Sequence, residues 1–68
     1  MRLKNRLKEW RAKRDVSQQQ LADAIGMSRQ TINSIERGKF VPSILSVIKI
    51  ARFFTTSIEN LFYVEEEK

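Results

Sequence analysis

Between Ser17 and Gly38 the chain has room for two helices and almost nothing to join them. Ser17 precedes a run in which Leu21, Ala22 and Ile25 fall on one helical face. Its hydroxyl can accept from the orphan amides of a first turn. Gln20, three residues on, fits the second half of a capping box. Gly26 follows and can enter the left-handed conformation that ends a helix, where a side chain would clash. Only Gly26 and Met27 separate Ile25 from the next cap, Ser28. A second face then runs through Ile32 and Ile35, with Glu36 beside them, until Gly38 stops it. Helices joined this tightly cross steeply and approach closely, so the first needs a small residue at the contact. Ala22 is that residue.

The remaining punctuation divides the chain into five helices. The first is expected over 4–14, with Leu3, Leu7 and Trp10 as one apolar stripe on a charged cylinder and Trp10 in the core. Asp15 turns the corner and Val16 packs inward. The pair described above spans 18–25 and 29–37. A loop follows over 38–42, where Phe40 is expected to tuck under the domain. Pro42 and Ser43 read as a stop and a cap for a fourth helix over 44–54. That helix is apolar almost all round, more than one core can use. Ser57 caps a short fifth helix over 58–62. Phe62, Tyr63 and Val64 then form a β-favouring end that can pair with Met1-Arg2-Leu3. The expectation is an all-α, compact five-helix domain over 1–68, whose core needs no strand, with short terminal β-strand pairing as an addition.

The totals exclude several classes. Sixty-eight residues allow one small core, marginal alone unless it packs ideal helices or dimerises. With no cysteine and no histidine, disulfides, thiol chemistry and a structural zinc site are all excluded. No apolar run approaches the roughly 20 residues of a membrane span, and no signal-peptide region follows Met1, so a cytoplasmic protein is expected. Ser/His/Asp and Cys/His sets, metal clusters and phosphate-cradling glycine loops are lacking, which argues against an enzyme, a metal or a cofactor. The net charge is +5, with an isoelectric point near 10.1, and it suits a polyanionic partner. Arg2, Lys4, Arg6, Lys8, Arg11, Lys13 and Arg14 crowd the start, while Glu65, Glu66 and Glu67 make a solvated acidic end that phosphate would repel.

The tight pair over 18–37 is a helix-turn-helix signature. The stretch QQQLADAIGMSRQTINSIER resembles the Cro/phage-repressor, or XRE, family. Leu21, Ala22, Ile25, Gly26, Met27, Ile32 and Ile35 fall at that family's apolar, small and glycine positions. VSQQQLA before it, IERGKFVPS through the next loop and IKIARFF…IENLF at the end match as well, so that the resemblance covers residues 7–62. It implies a lambda-repressor-like fold and double-stranded DNA as partner. One departure concerns Thr55-Thr56, where the family often has glycine or asparagine. A β-branched Thr55 is expected to resist the left-handed conformation.

In the second helix of the pair, Ile32 and Ile35 point inward. The opposite face offers Arg29, Gln30, Asn33 and Ser34, with Thr31 and Arg37 at the margins. Glutamine and asparagine can form two hydrogen bonds with adenine, and arginine can do so with guanine. The resemblance places Arg29, Gln30 and Ser34 at the main base-reading positions, with Asn33 beside them. Gln18, at the first turn of its helix, is expected to meet a phosphate, with Thr31, Arg37 and Lys39 as companions. The basic face of the first helix would add long-range attraction. The resemblance also implies a structural ion pair, Arg11 with Glu36, that is largely buried and fixes the reading helix against the first.

One helix in one groove reads few base pairs, so a second copy is expected, two-fold related. Leu45, Ile48 and Phe53 on the fourth helix, and Phe62, Tyr63 and Val64 at the end, are the spare apolar residues for a homodimer. The segment over about 57–64 is the favoured interface. The expected function is a sequence-specific transcriptional regulator, a repressor on a palindromic operator, without a small-molecule effector. The alternative is an antitoxin-type interaction module that also binds its own operator.

Overall fold

Four serines start four of the five helices in the computed structural model, which describes residues 1–66. Helix α1 spans Leu7–Arg14, α2 Gln18–Ile25, α3 Arg29–Glu36, α4 Ile44–Phe54 and α5 Ile58–Leu61. Ser17, Ser28, Ser43 and Ser57 each accept from the backbone N–H three residues on, at 3.0, 3.0, 3.2 and 3.3 Å. At Ser17 the box is closed by its own N–H, which donates to Gln20 Oε1 at 2.8 Å. Gly26 ends α2 at φ 75°, as its position after Ile25 demands.

The first helix starts later than the sequence pattern suggests. Strand β1, Arg2–Asn5, occupies the beginning of the expected helix and pairs antiparallel with β2, Phe62–Glu65. The register sets Arg2 opposite Glu65, Leu3 opposite Val64, Lys4 opposite Tyr63 and Asn5 opposite Phe62. Asn5 explains the switch. Its side-chain oxygen accepts from Leu7 N–H at 3.1 Å, and its Nδ2 donates to the Ile35 carbonyl at 2.9 Å. A turn is thereby locked between strand and helix, in the manner of asparagine at chain reversals. Leu3 leaves the expected stripe and is 37% exposed opposite Val64, toward the end of the pairing.

The core gathers Leu7 from α1, Leu21, Ala22 and Ile25 from α2, and Ile32 and Ile35 from α3. Val47, Ile50, Ala51 and Phe54 of α4 and Leu61 of α5 complete it, together with Phe62 of β2. Phe62 is therefore a correction twice over: a strand does contribute to the core, and this side chain, 7% exposed, is not spare surface. Trp10 sits at the rim rather than in the centre. Its indole N–H donates to the Asn60 carbonyl at 3.2 Å, and Arg14 lies over its ring at 5.6 Å. Tyr63 is half-buried beneath the Arg6 guanidinium, 4.2 Å from the ring centre.

Thr55 overturns another expectation, for it adopts the left-handed conformation at φ 54°, ψ 50°. Two hydrogen bonds hold it there: Thr55 N–H to the Arg52 carbonyl at 3.1 Å and Thr56 N–H to Ala51 at 3.0 Å. They satisfy the last carbonyls of α4 and offset the steric cost. Among the described residues no helix is long and apolar enough to cross a membrane. Glu67 of the acidic end lies outside the described residues.

Candidate nucleic-acid interface

Helix α3 is seated by Ile32 and Ile35, both essentially inaccessible, against the fully buried Ala22 of α2 and the rest of the core. A residue larger than alanine at position 22 would hold the two helices apart. With the inner face spent, Arg29 and Gln30 are exposed, and Thr31, Asn33 and Ser34 are half-buried along the outer side. Arg37, which caps α3, is exposed at its end.

Two clefts flank this outer face. One, about 300 Å³, is lined by Gln30, Thr31, Ser34, Lys39 and Phe40. The other, about 470 Å³, is lined by Lys8, Arg11, Gln18, Asn33, Glu36 and Arg37. Each carries a cation from another element: Lys39 from the loop after α3, and Lys8 from α1. A ridge of hydrogen-bonding side chains between cation-edged clefts matches the layout of base edges between phosphate strands.

The floor of the larger cleft is polar and fully paired. Arg11 grips Glu36 through both ends of its guanidinium, Nε to Oε2 at 2.5 Å and Nη2 to Oε1 at 2.9 Å. The side chains are 14% and 6% exposed. Arg11 Nη1 also donates to the Val16 carbonyl at 3.0 Å, tying the α1–α2 corner to α3. The hydrogen bond with Glu36 leads in pushing the Arg11 pKa above its ordinary value, and burial opposes it. A cation whose pKa rises on folding stabilises the fold below its unfolded pKa and loses that stabilisation only as pH climbs through the folded value. For an arginine this loss lies far above neutral pH.

Gln18 is drawn into the same floor. Its Nε2 donates to Glu36 Oε1 and to Asn33 Oδ1, both at 3.2 Å. The side-chain amide expected to meet a phosphate is thus already committed, because its two hydrogens face protein acceptors. What remains for a phosphate at Gln18 is the main-chain N–H at the start of α2. Thr31 is engaged as well, its hydroxyl 2.8 Å from that of Ser28.

Two further residues of the clefts escaped the sequence reading. Lys8 belongs to the general basic face of α1, yet it stands three residues before Arg11 and shares its side of the helix, which is the signal that places it in the cleft. Phe40 does not tuck under the domain. It is 48% exposed beside Gln30, Thr31 and Ser34. Gly38 N–H bonds to the Ile35 carbonyl at 3.0 Å and Lys39 N–H to Ser34 at 2.9 Å. These bonds turn the loop back along α3, and Pro42 takes the interior place instead.

Five helices with a tight α2–α3 pair, and a polar α3 face held by a half-buried ion pair, define a DNA-binding domain of the lambda-repressor/Cro type. The chain belongs to the XRE-type helix-turn-helix family of transcriptional regulators, whose profile matches residues 7–61, from the first residue of α1 to the last of α5. A Methanocaldococcus jannaschii protein, the uncharacterised HTH-type transcriptional regulator MJ0272, is 46% identical over 66 residues, 97% of this chain and 100% of its own. YgzD of Bacillus subtilis, another uncharacterised HTH-type transcriptional regulator, is 43% identical over 65 residues, 96% of this chain and 98% of its own. Among solved structures, the restriction-modification controller protein C.AhdI from Aeromonas hydrophila superposes with a TM-score of 0.76. It is 29% identical and covers 81% of this chain and 83% of its own.

Proposed function

We propose that this protein is a sequence-specific repressor that binds a palindromic operator as a homodimer, with α3 in the major groove. The observation that carries the reading is the outer face of α3. Arg29, Gln30, Asn33 and Ser34 turn outward between the two clefts, while the opposite face is consumed by the core. Arg29, Gln30, Asn33 and Ser34 read base edges. Thr31, Arg37 and Lys39 hold phosphates, joined by Lys8 and by the Gln18 main-chain N–H. Repression follows from occupancy, because a protein seated in the groove excludes others from the same stretch of duplex.

The homodimer rests on apolar residues that one copy leaves outside. Ile44 and Leu45 are 70% and 60% exposed, and Ile48 lies on the same side of α4. Phe40 and Val41, 48% and 69% exposed, precede this strip in the chain and could extend it. Val64 adds a smaller apolar contribution at β2. Phe53 faces a different groove, with Ala24, Ile25 and Gly26. The favoured interface therefore shifts from the C-terminal segment, whose Phe62 and Leu61 are buried, to the start of α4. Control is by concentration or by a partner rather than by a small-molecule effector.

Selection from a randomised duplex pool, followed by titration of the enriched site against a scrambled one at two salt concentrations, tests the proposal. An enriched palindrome with half-sites about one helical turn apart, preferred by roughly 10³-fold or more, is expected. Equal and steeply salt-dependent binding to both duplexes would mean that charge alone carries the affinity.

A further inference from the structure

We infer that Phe40 is a specificity-determining residue, its exposed ring taking the 5-methyl group of a thymine next to the bases read from α3. The inference rests on α3 being the base-reading helix.

Phe40 stands apart from the other aromatic side chains. Trp10 and Phe53 each meet the Phe54 ring, Tyr63 lies beneath Arg6, and Phe62 is buried in the core. Among the described residues Phe40 has neither a ring nor a cation stacked on it, and it is 48% exposed. An aromatic ring stabilises by being covered, so one left open at a binding face is available to the ligand of that face. Its loop cannot carry it elsewhere. Gly38 N–H and Lys39 N–H are bonded to the Ile35 and Ser34 carbonyls at 3.0 and 2.9 Å, and Pro42, two residues beyond the ring, is buried. With the loop anchored on both sides, Phe40 moves with α3.

The neighbours of the ring choose its ligand. Phe40 shares the smaller cleft with Gln30, Thr31 and Ser34 of α3 and with Lys39. A second copy docking here through apolar contacts would leave those polar side chains and the ammonium without partners. DNA brings donors and acceptors for Gln30 and Ser34, a phosphate for Lys39, and one apolar group. Among the base-edge features that distinguish the pairs in the major groove, that group is the thymine 5-methyl, beside the O4 acceptor. Cytosine carries only hydrogen on the same carbon. An apolar wall at the margin of a polar reading face therefore favours a pyrimidine that bears the methyl.

The test removes the methyl and keeps every hydrogen-bonding group. Each thymine of the duplex enriched by selection is replaced singly by deoxyuridine, and affinities are measured for the wild type and Phe40→Ala. In the wild type, replacement of one thymine per half-site should weaken binding about threefold to fivefold, as expected for one buried methyl. In Phe40→Ala the thymine and uracil duplexes should bind equally at that position, while any other methyl-sensitive thymine stays sensitive. Comparing the two proteins cancels any effect of the methyl on duplex shape. Phe40 has no place in the core, so the alanine variant should fold. Phe40→Gln, polar and of comparable reach, should lose the methyl preference as well, so that the result does not hang on one variant. Cytosine against 5-methylcytosine at the same position should repeat the pattern, with the methyl preferred by the wild type and ignored by both variants. An operator in which no thymine responds to loss of its methyl would overturn the inference. So would a sensitive thymine that keeps its full penalty in Phe40→Ala, because another residue then holds the methyl. Weaker binding of Phe40→Ala to all duplexes, with the methyl penalty intact, would assign the ring to a second copy or to a deoxyribose instead. Failure to enrich any duplex would remove the DNA-binding reading itself, and this inference with it.

Discussion

Arg11 and Glu36, 25 residues apart in sequence, meet in a two-pronged ion pair under the recognition helix, where Glu36 is 6% exposed. Glu36 also accepts from Gln18. One carboxylate thereby joins α1, the start of α2 and the end of α3. Removing one partner strands the other charge on the half-buried floor of the cleft. Glu36→Gln is expected to cost roughly 1–3 kcal/mol, below the cost for a fully buried pair but a large part of the stability of so small a domain. Thermal denaturation followed by circular dichroism checks this. A midpoint unchanged from the wild type would show that the pair contributes nothing. The double variant Arg11→Met/Glu36→Leu should recover part of the loss, because no buried charge is then left alone.

Thr55 carries a cost in the opposite direction. A β-branched residue at φ 54° is strained by roughly 1–2 kcal/mol, and glycine enters that region freely. Glycine gives back part of the gain through the greater freedom of its unfolded chain. Thr55→Gly should therefore stabilise the domain by up to about 1 kcal/mol, raising the midpoint by roughly 4–8 °C. A fall in the urea midpoint would mean that the threonine side chain contributes more than its backbone costs.

Lys8 and Gln30 should separate the two kinds of contact. Lys8→Ala is expected to weaken binding to all duplexes alike and to flatten the salt dependence by about one unit of slope. Gln30→Ala is expected to cost about 1–3 kcal/mol on the selected operator and to relax preference at a single base pair. If the two variants lower specific and non-specific binding in the same proportion, Gln30 is not reading a base.

Leu45 tests the dimer surface. It is 60% exposed in one copy, so Leu45→Glu should leave the helical content seen by circular dichroism unchanged, with the thermal midpoint lowered only by the lost association. The same variant should convert a dimer to an 8.0 kDa monomer in sedimentation at micromolar concentration. Operator affinity should fall with it. A wild type that already sediments as a monomer would remove this interface from consideration.

The chain's local signals were largely legible because they act over three or four residues. The helix starts at Ser17, Ser28, Ser43 and Ser57, the stop at Gly26, and the inward face at Ile32 and Ile35 follow from caps, handedness and helical spacing. These alone determine the helix pair and which side of α3 faces outward. The tertiary structure decided what depends on distant partners. Strand pairing of the first residues with 62–64 is legible in the sequence, but its backbone bonds with β2, and the Asn5 bond to Ile35 across 30 residues, carry the strand through Lys4 and Asn5, where the spacing suggests helix. The sequence leaves Gln18 free for phosphate, because a glutamine at a helix start is free until something claims it. Glu36 and Asn33, 18 and 15 residues away, claim it. Phe40 gave no local sign of its side, since the bonds that turn its loop run back to α3. Spacing along a helix determines a side chain's direction, whereas its partner depends on which distant carboxylate or carbonyl the packing brings within reach.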